Sequence, residues 1–304
     1  MATFQYAGIA EQIAREAGAL LRGFYEQGVE TEYKGDVDLV TAADRASEEL
    51  IRNRLAQAFP THGIYGEEGT REQLDSELRW YVDPLDGTTN FAHGFPAFCV
   101  VLGLEHRPPG LPPAADGQML AGVIYDPLRD ECFVAERGRG AWLHASSAPP
   151  RAIRVSSTAR LEQSLTATGF PSHKRHRSPN VHLYQQVTLR SHGVRRAGSA
   201  ALDLAYVACG RLDGFWEFNL NPWDTSAGFL LVEEAGGAVT HLNGDPFTLD
   251  SREVLATNNL IAAEMQALFA DMFAGRNLDP IPTPAEFAAR RAAAAPPAPP
   301  AAAK

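Results

Sequence analysis

Asp83 and Asp86 stand three residues apart in WYVDPLDGTTNFAHG (80–94), directly after the apolar Trp80, Tyr81 and Val82. Gly87 follows and permits tight backbone, and Thr88 and Thr89 can then open a helix with its N–H groups pointing outward. Hard oxygen ligands beside a helix start make a place where divalent cations and a phosphate can meet. The plainer reading is that both aspartates cap the turn and the helix. Acidic residues recur at other element ends, however. Glu67 and Glu68 lie between the glycines of GEEG (66–69), Asp224 follows Trp223 in NPWDTSAG, and Asp44 closes DLVTAAD (38–44). Solvation accounts for Glu67 and Glu68 taken alone, and capping accounts for Asp44 and Asp224. Taken together they point to bound cations, because like charges at several element ends repel unless an ion lies between them.

These residues need a scaffold. Trp80–Val82 predicts a buried strand that ends at Pro84, since proline has no N–H for a sheet ladder. Asp83 then falls at the strand tip and Asp86 in the turn beyond. Residues 6–27 carry Ala, Ile and Leu on one face and predict an amphipathic helix. A second helix follows DVDLV, with Thr41 as N-cap and Asp44 as its acidic partner three residues on. HGIYGEEGT predicts a strand running into a loop. FCVVLGLEH and LAGVIYDP predict strands joined by the surface connection RPPGLPPAADGQ, and ECFVAERGRGAWLH predicts two more around a Gly-rich turn.

After Pro149–Pro150 strand-like LTATGF alternates with helix-like SAALDLAYVACG and TSAGFLLVEEAGG, and EVLATNN and LIAAEMQALFADMF close the pattern as strand and helix. The expected division is an α+β half (1–148), an α/β half (149–276) and a Pro/Ala-rich, disordered tail (277–304) in which AEFAARRAAAA can form a transient helix.

With 304 residues, 45% hydrophobic and 21% charged, the chain has ample material for a core. No apolar run reaches the roughly 18–20 residues of a membrane span, and the N-terminus lacks the pattern of a signal peptide. Cys99, Cys132 and Cys209 are odd in number and far apart in apolar surroundings, which predicts reduced core thiols in a cytoplasm. A net charge of −10 argues against a nucleic-acid surface. It also means that a phosphorylated substrate needs cations between itself and the protein.

The chain resembles the inositol monophosphatase family, most closely its bacterial inositol-1-monophosphatase members. The resemblance rests on DLVTAAD, on GEEG with WYVDPLDGTTNFAHGFP (80–96), on GSAALDLAYVACGRLDGFWE (198–217) and on NPWDTSAGFLLVEEAGG (221–237), in the family's order and spacing. It implies a layered αβαβα sandwich, mixed α/β in class, of the inositol monophosphatase and fructose-1,6-bisphosphatase type. It implies hydrolysis of myo-inositol monophosphate by a water that two to three Mg²⁺ ions activate. Glu67, Asp83 and the carbonyl of Leu85 would bind one ion. Asp83, Asp86 and Asp224 would bind a second, and a third would sit near Glu67. Asp44 and Thr88 would form the pair that orients the water, with Glu67 beside them in the catalytic set. Backbone N–H groups at Gly87 and Thr88 would meet the phosphate. Gly198, Ser199, Ala200 and Glu217, with Asp224, would contact the polyol.

The chemistry of the residues agrees with this. Mg²⁺ prefers oxygen ligands in octahedral array. Cations neutralise a phosphate dianion that would repel hydroxide. No covalent nucleophile is then needed, in keeping with the lack of a phosphate-accepting cysteine motif or Walker loop. The resemblance further implies a cytoplasmic, lithium-sensitive homodimer with no membrane or direct nucleic-acid contact. Related sugar or metabolite phosphatases (fructose-1,6-bisphosphatase, histidinol-phosphatase, 3′-nucleotidase) are alternatives, as is a regulatory partner of the transcription machinery. Lys34 in YKGDVD, His93, the basic SHKRHR (172–177) and Arg195–Arg196 read as loop, structural or subunit-contact residues.

Overall fold

The computed structural model describes residues 5–28, 31–33, 39–111, 117–170, 178–276, 279–280 and 282–293. Lys34 and SHKRHR lie outside the described residues. The periodic apolar face at the N-terminus folds into α1 (Ala7–Gln27), which turns Ala10, Ile13, Ala14, Ala17 and Leu21 inward. A short hairpin of β1 (Thr31–Tyr33) and β2 (Leu39–Thr41) leads to α2 (Ala42–Ala58). Thr41 caps α2 as predicted: its hydroxyl accepts from the Ala43 N–H, while the Asp44 carboxylate accepts the Thr41 N–H at 2.7 Å.

Eight strands form the first sheet. They are β3 (Gly63–Gly66), β4 (Arg71–Glu72), β5 (Leu78–Asp86), β6 (Cys99–His106), β7 (Gln118–Asp126), β8 (Glu131–Glu136), β9 (Ala141–Ala145) and β10 (Ala148–Ile153), in the order β10-β9-β8-β7-β6-β5-β3-β4. β3 and β5 run parallel, and β5 feeds α3 (Thr88–Ala92). The second sheet takes β11 (Leu165–Thr168), β12 (Gly193–Arg195), β13 (Gly214–Phe218), β14 (Ala238–Thr240) and β15 (Glu253–Thr257), in the order β12-β11-β13-β15-β14. Its helices are α4 (Asn180–Thr188), α5 (Ala200–Ala208), α6 (Pro222–Glu234) and α7 (Ala262–Phe273). The helix α8 (Pro284–Ala293), exposed over 284–290, takes up most of AEFAARRAAAA.

Three apolar layers bind these elements. Trp80, Val82, Val100, Leu102 and Leu104 meet α1 and α2 on one sheet face. Tyr81, Val101, Ile124 and Phe133 on the other face meet Leu204, Leu230 and Leu231 of α5 and α6, and that layer continues to Phe215 and Val254 of the second sheet. Trp216 and Leu255 pack outward onto Leu183 of α4 and Phe269 of α7. The result is the expected αβαβα sandwich. Each large side chain removed from water here contributes about 1.5–3 kcal/mol.

The structure corrects the expected end of the central strand. β5 runs through Pro84 to Asp86. Asp83 pairs with Val101 and Asp86 with Cys99, so three steps on β5 oppose two on β6. The extra residue is a bulge, which absorbs the missing N–H of Pro84 and turns Asp83 and Asp86 to the same face. That face looks toward α5 and α6. The proline pair Pro149–Pro150 lies within β10, an edge strand whose open side needs no ladder bond.

Candidate active site

The bulge delivers two carboxylates to one side of β5, and three other elements bring the rest. Asp83, 2% exposed, accepts the Leu85 N–H at 2.9 Å on one oxygen. Asp86 uses one oxygen for the Ser199 hydroxyl at 2.6 Å and the Ala201 N–H at 2.8 Å, at the start of α5, with the Cys99 thiol at 3.7 Å. Asp224, in the first turn of α6, accepts the Asn221 N–H at 2.7 Å on one oxygen. The second oxygen of each of these three aspartates takes no hydrogen bond from a described residue. Three neighbouring carboxylates thus each have one oxygen held by the scaffold and one left over.

The electrostatics follow from that crowding. Burial first, then the charges of Glu67, Asp86 and Asp224, raise the Asp83 carboxyl well above the usual range. Burial and the Asp86 charge push Asp224 up to about 7. Burial raises Asp86 as well, while its bonds to Ser199 and to the α5 backbone oppose the rise. Oxygen donors, mutual repulsion and unshared oxygens together suit a hard divalent cation. As the side chains stand, no three His, Cys, Asp or Glu groups among the described residues close a cage around an ion. The donor set fits a cation through its chemistry and the direction of its charge.

α2 organises the other side. Asp44, 1% exposed, accepts the Thr41 N–H and hydroxyl on one oxygen and the Thr88 hydroxyl at 3.0 Å on the other. The capping role and the predicted pairing with Thr88 therefore coexist. Thr88 Oγ1 is also 3.1 Å from the Leu85 carbonyl oxygen, and its one proton can serve only one acceptor at a time. One turn on, Ser47 donates to the Pro84 carbonyl at 2.9 Å. Glu48, 5% exposed, accepts from the Glu68 N–H at 2.7 Å and from the Thr70 N–H and hydroxyl at 2.9 and 2.7 Å. One helix face thus holds Thr88, the β5 bulge and the loop that carries Glu67.

Gly87 has φ +94°, and a Cβ there would stand 2.8 Å from the Ala97 carbonyl oxygen. Only glycine fits that turn. The Asn90 amide donates to the carbonyls of Ala97, Ala197 and Gly198 at 2.7, 2.9 and 3.2 Å, which ties α3 to the entry of α5. Ser199 is 1% exposed and its hydroxyl is engaged with Asp86, so its side chain supports that carboxylate. Glu217 on β13 fills the space that a side chain at Gly169 would occupy. Burial, then the charges of Asp203 and Asp86, push it up to about 8, while the Arg196 cation pulls the other way. Exposed Arg196, expected in a structural or subunit-contact role, therefore lies within electrostatic reach of this region. His93 is exposed and ends α3.

Glu48, Asn90, Asp203 and Gly169 were not singled out in the sequence. A Glu or Asp within a helix reads as a solvated face, and the one available signal was Asp203 in the otherwise apolar SAALDLAYVA. The three cysteines are free thiols, with Cys99 and Cys132 buried. No helix among the described residues is long and apolar enough to cross a membrane.

The model of the Inositol monophosphatase family matches residues 5–273. The chain belongs to the inositol monophosphatase family. It is thereby a phosphatase, a hydrolase of a family whose members are generally metal-dependent. It is 43% identical over 265 residues to the inositol-1-monophosphatase of Mesorhizobium japonicum, covering 86% of this chain and 94% of that one. It is 41% identical over 258 residues to the Nus factor SuhB of Pseudomonas aeruginosa, covering 82% and 90%. The crystal structure of extragenic suppressor protein suhB from Bartonella henselae matches with a TM-score of 0.77 at 42% identity, covering 86% of this chain and 96% of that one.

Proposed function

We propose that the protein hydrolyses myo-inositol monophosphate to inositol and phosphate with the help of two to three Mg²⁺ ions. The observation that carries this reading is the set of half-tied carboxylates, Asp83, Asp86 and Asp224, beside the Asp44–Thr88 pair. Glu67, Asp83 and the Leu85 carbonyl would hold one ion, and Asp83, Asp86 and Asp224 another. Bound Mg²⁺ would neutralise the phosphate dianion, acidify a water and stabilise the leaving alkoxide. Thr88 donates its proton to Asp44, which leaves lone pairs of Oγ1 directed at the water. As the water oxygen attacks phosphorus and the ester P–O bond breaks, Thr88 would take the water's proton and pass its own to Asp44, while the departing alkoxide would take a proton from solvent water, to which Asp44 then returns its own. Backbone N–H groups at Gly87 and Thr88 would steady the phosphate. Gly198, Ala200 and Glu217 would meet the polyol hydroxyls, with Ser199 contributing through its backbone.

The test is phosphate release from inositol-1-phosphate, fructose-1,6-bisphosphate, histidinol phosphate and 3′-phosphoadenosine 5′-phosphate, with Mg²⁺, without it and with Li⁺ added. Preference for inositol phosphate, lost without Mg²⁺ and lowered by Li⁺, is the expected result. No Mg²⁺-dependent release from any of them would sink the proposal. A second reading, a cytoplasmic, dimeric partner of the transcription machinery, is favoured by the Nus factor name of a 41% identical relative. Capture of RNA polymerase together with negligible turnover would support it.

A further inference from the structure

Glu67 sits between β3 and β4, and Asp224 sits on α6, two elements joined by no strand ladder. A guanidinium and two aromatic rings connect them. The Arg71 guanidinium lies 3.8 Å from the centre of the Tyr65 ring and 5.7 Å from that of Trp223. The two rings stand 5.5 Å apart. Tyr65 in turn meets the buried Tyr81 of β5 edge-on at 5.8 Å, which anchors the stack to the sheet that carries Asp83. Arg71 also donates to the carbonyls of Gly66 and Thr70, the residues on either side of Glu67–Gly69. The Trp223 indole N–H is buried with no hydrogen-bond partner among the described residues, so ring contacts rather than a hydrogen bond hold it in place. Trp223 immediately precedes Asp224.

We propose that Arg71 is a positioning residue whose stack on Tyr65 and Trp223 fixes Glu67 relative to Asp224 and thereby sets the affinity of the site for its cation. The inference rests on the phosphatase reading above and assigns a role to residues outside the ligand set. A planar guanidinium can stack on two rings and donate to two carbonyls at once, which an ammonium cannot.

The experiment is calorimetric titration of Mg²⁺ into the metal-free full-length protein, alongside phosphatase kinetics, for wild type, Arg71→Ala, Trp223→Ala and the double variant. Each single change should weaken Mg²⁺ binding about threefold to tenfold. The double variant should bind about as weakly as the worse single one, because both changes break one stack. The Mg²⁺ concentration at half-maximal rate should rise in step, while kcat at saturating Mg²⁺ stays within about twofold of wild type. Arg71→Lys should recover only part of the affinity. Should the alanine variants not fold, Arg71→Gln and Trp223→Phe decide the question through the same titration. Wild-type affinity in Arg71→Ala or Arg71→Gln, or strictly additive losses in the double variant, would overturn the proposal while leaving the phosphatase reading intact. Wild-type protein that neither binds Mg²⁺ nor releases phosphate would overturn both.

Discussion

Two carboxylate regions lie within electrostatic reach of each other, and they are held differently. On the β5 side, scaffold donors fix one oxygen of Asp83 and one of Asp86, and Asp44 has both oxygens engaged. On the α5–β13 side, Asp203 and Glu217 take no side-chain hydrogen bond from a described residue, although Asp203 is 2% exposed. Fixed carboxylates present their remaining oxygens in a set geometry, which an ion with strict coordination needs. Carboxylates without fixed partners keep their hydrogen-bonding capacity for a ligand and change protonation readily. Under the proposed function, the first region would carry the phosphate chemistry and the second the recognition of hydroxyls.

The strongest way to break that assignment is Asp83→Asn. Phosphatase activity should fall on the order of a thousandfold or more, read as kcat/KM at saturating Mg²⁺. Thermal stability in EDTA should hold or rise, because the change removes a carboxylate that its neighbours repel. Activity near wild type would place the chemistry elsewhere. Glu48→Ala tests the scaffold itself. Three donors on the Glu67 loop lose their acceptor, and activity should drop about tenfold to a hundredfold, with a matching rise in the Mg²⁺ requirement.

The second region should respond through substrate rather than metal. Glu217→Ala should raise KM for inositol monophosphate about tenfold while leaving KM for phenyl phosphate, which has no ring hydroxyls, unchanged. Equal effects on both esters would remove Glu217 from the polyol site. Its titration adds a stability test. Glu217 is pushed up to about 8, whereas an unfolded glutamate titrates near about 4.3. The folded protein therefore binds a proton that the unfolded chain releases between those values. The contribution to stability is full below about 4.3 and is lost as pH rises through about 8. Asp83 and Asp224, also raised, act in the same direction. Melting temperature in EDTA should thus fall from pH 5 to pH 8.5, and Glu217→Gln should flatten the upper part of that profile.

How far this was legible in the sequence depends on the range of the forces involved. Thr41 with Asp44 and the apolar face of α1 are local patterns, and both fold as read. The sandwich was reached through resemblance, because periodicity says nothing about which sheet face meets which helix. The end of β5 was misread because Pro84 forbids a regular ladder but not a bulge, and only pairing with β6 reveals the extra residue. Glu48 was invisible for a related reason. Its partners, Glu68 and Thr70, are 20 and 22 residues away and meet it only after the sheet forms.

The finest test of the contrast is Asp203→Asn, where the smallest effect is expected. Asp203 is the first charge, after burial itself, that raises Glu217. Its own carboxyl is raised well above the usual range by burial and then by Asp86. Asparagine keeps the shape and removes the repulsion, so Glu217 should titrate lower, and the fall in melting temperature should end at lower pH and leave the variant the more stable near pH 7. In EDTA the displacement should amount to a few degrees near pH 7, about what 1 kcal/mol moves a chain of this size. In saturating Mg²⁺ the kcat should stay within about twofold, because Asp203 holds no oxygen in the phosphate region. A large loss of kcat would mean that the two carboxylate regions act as one network, and the division drawn between them would fall.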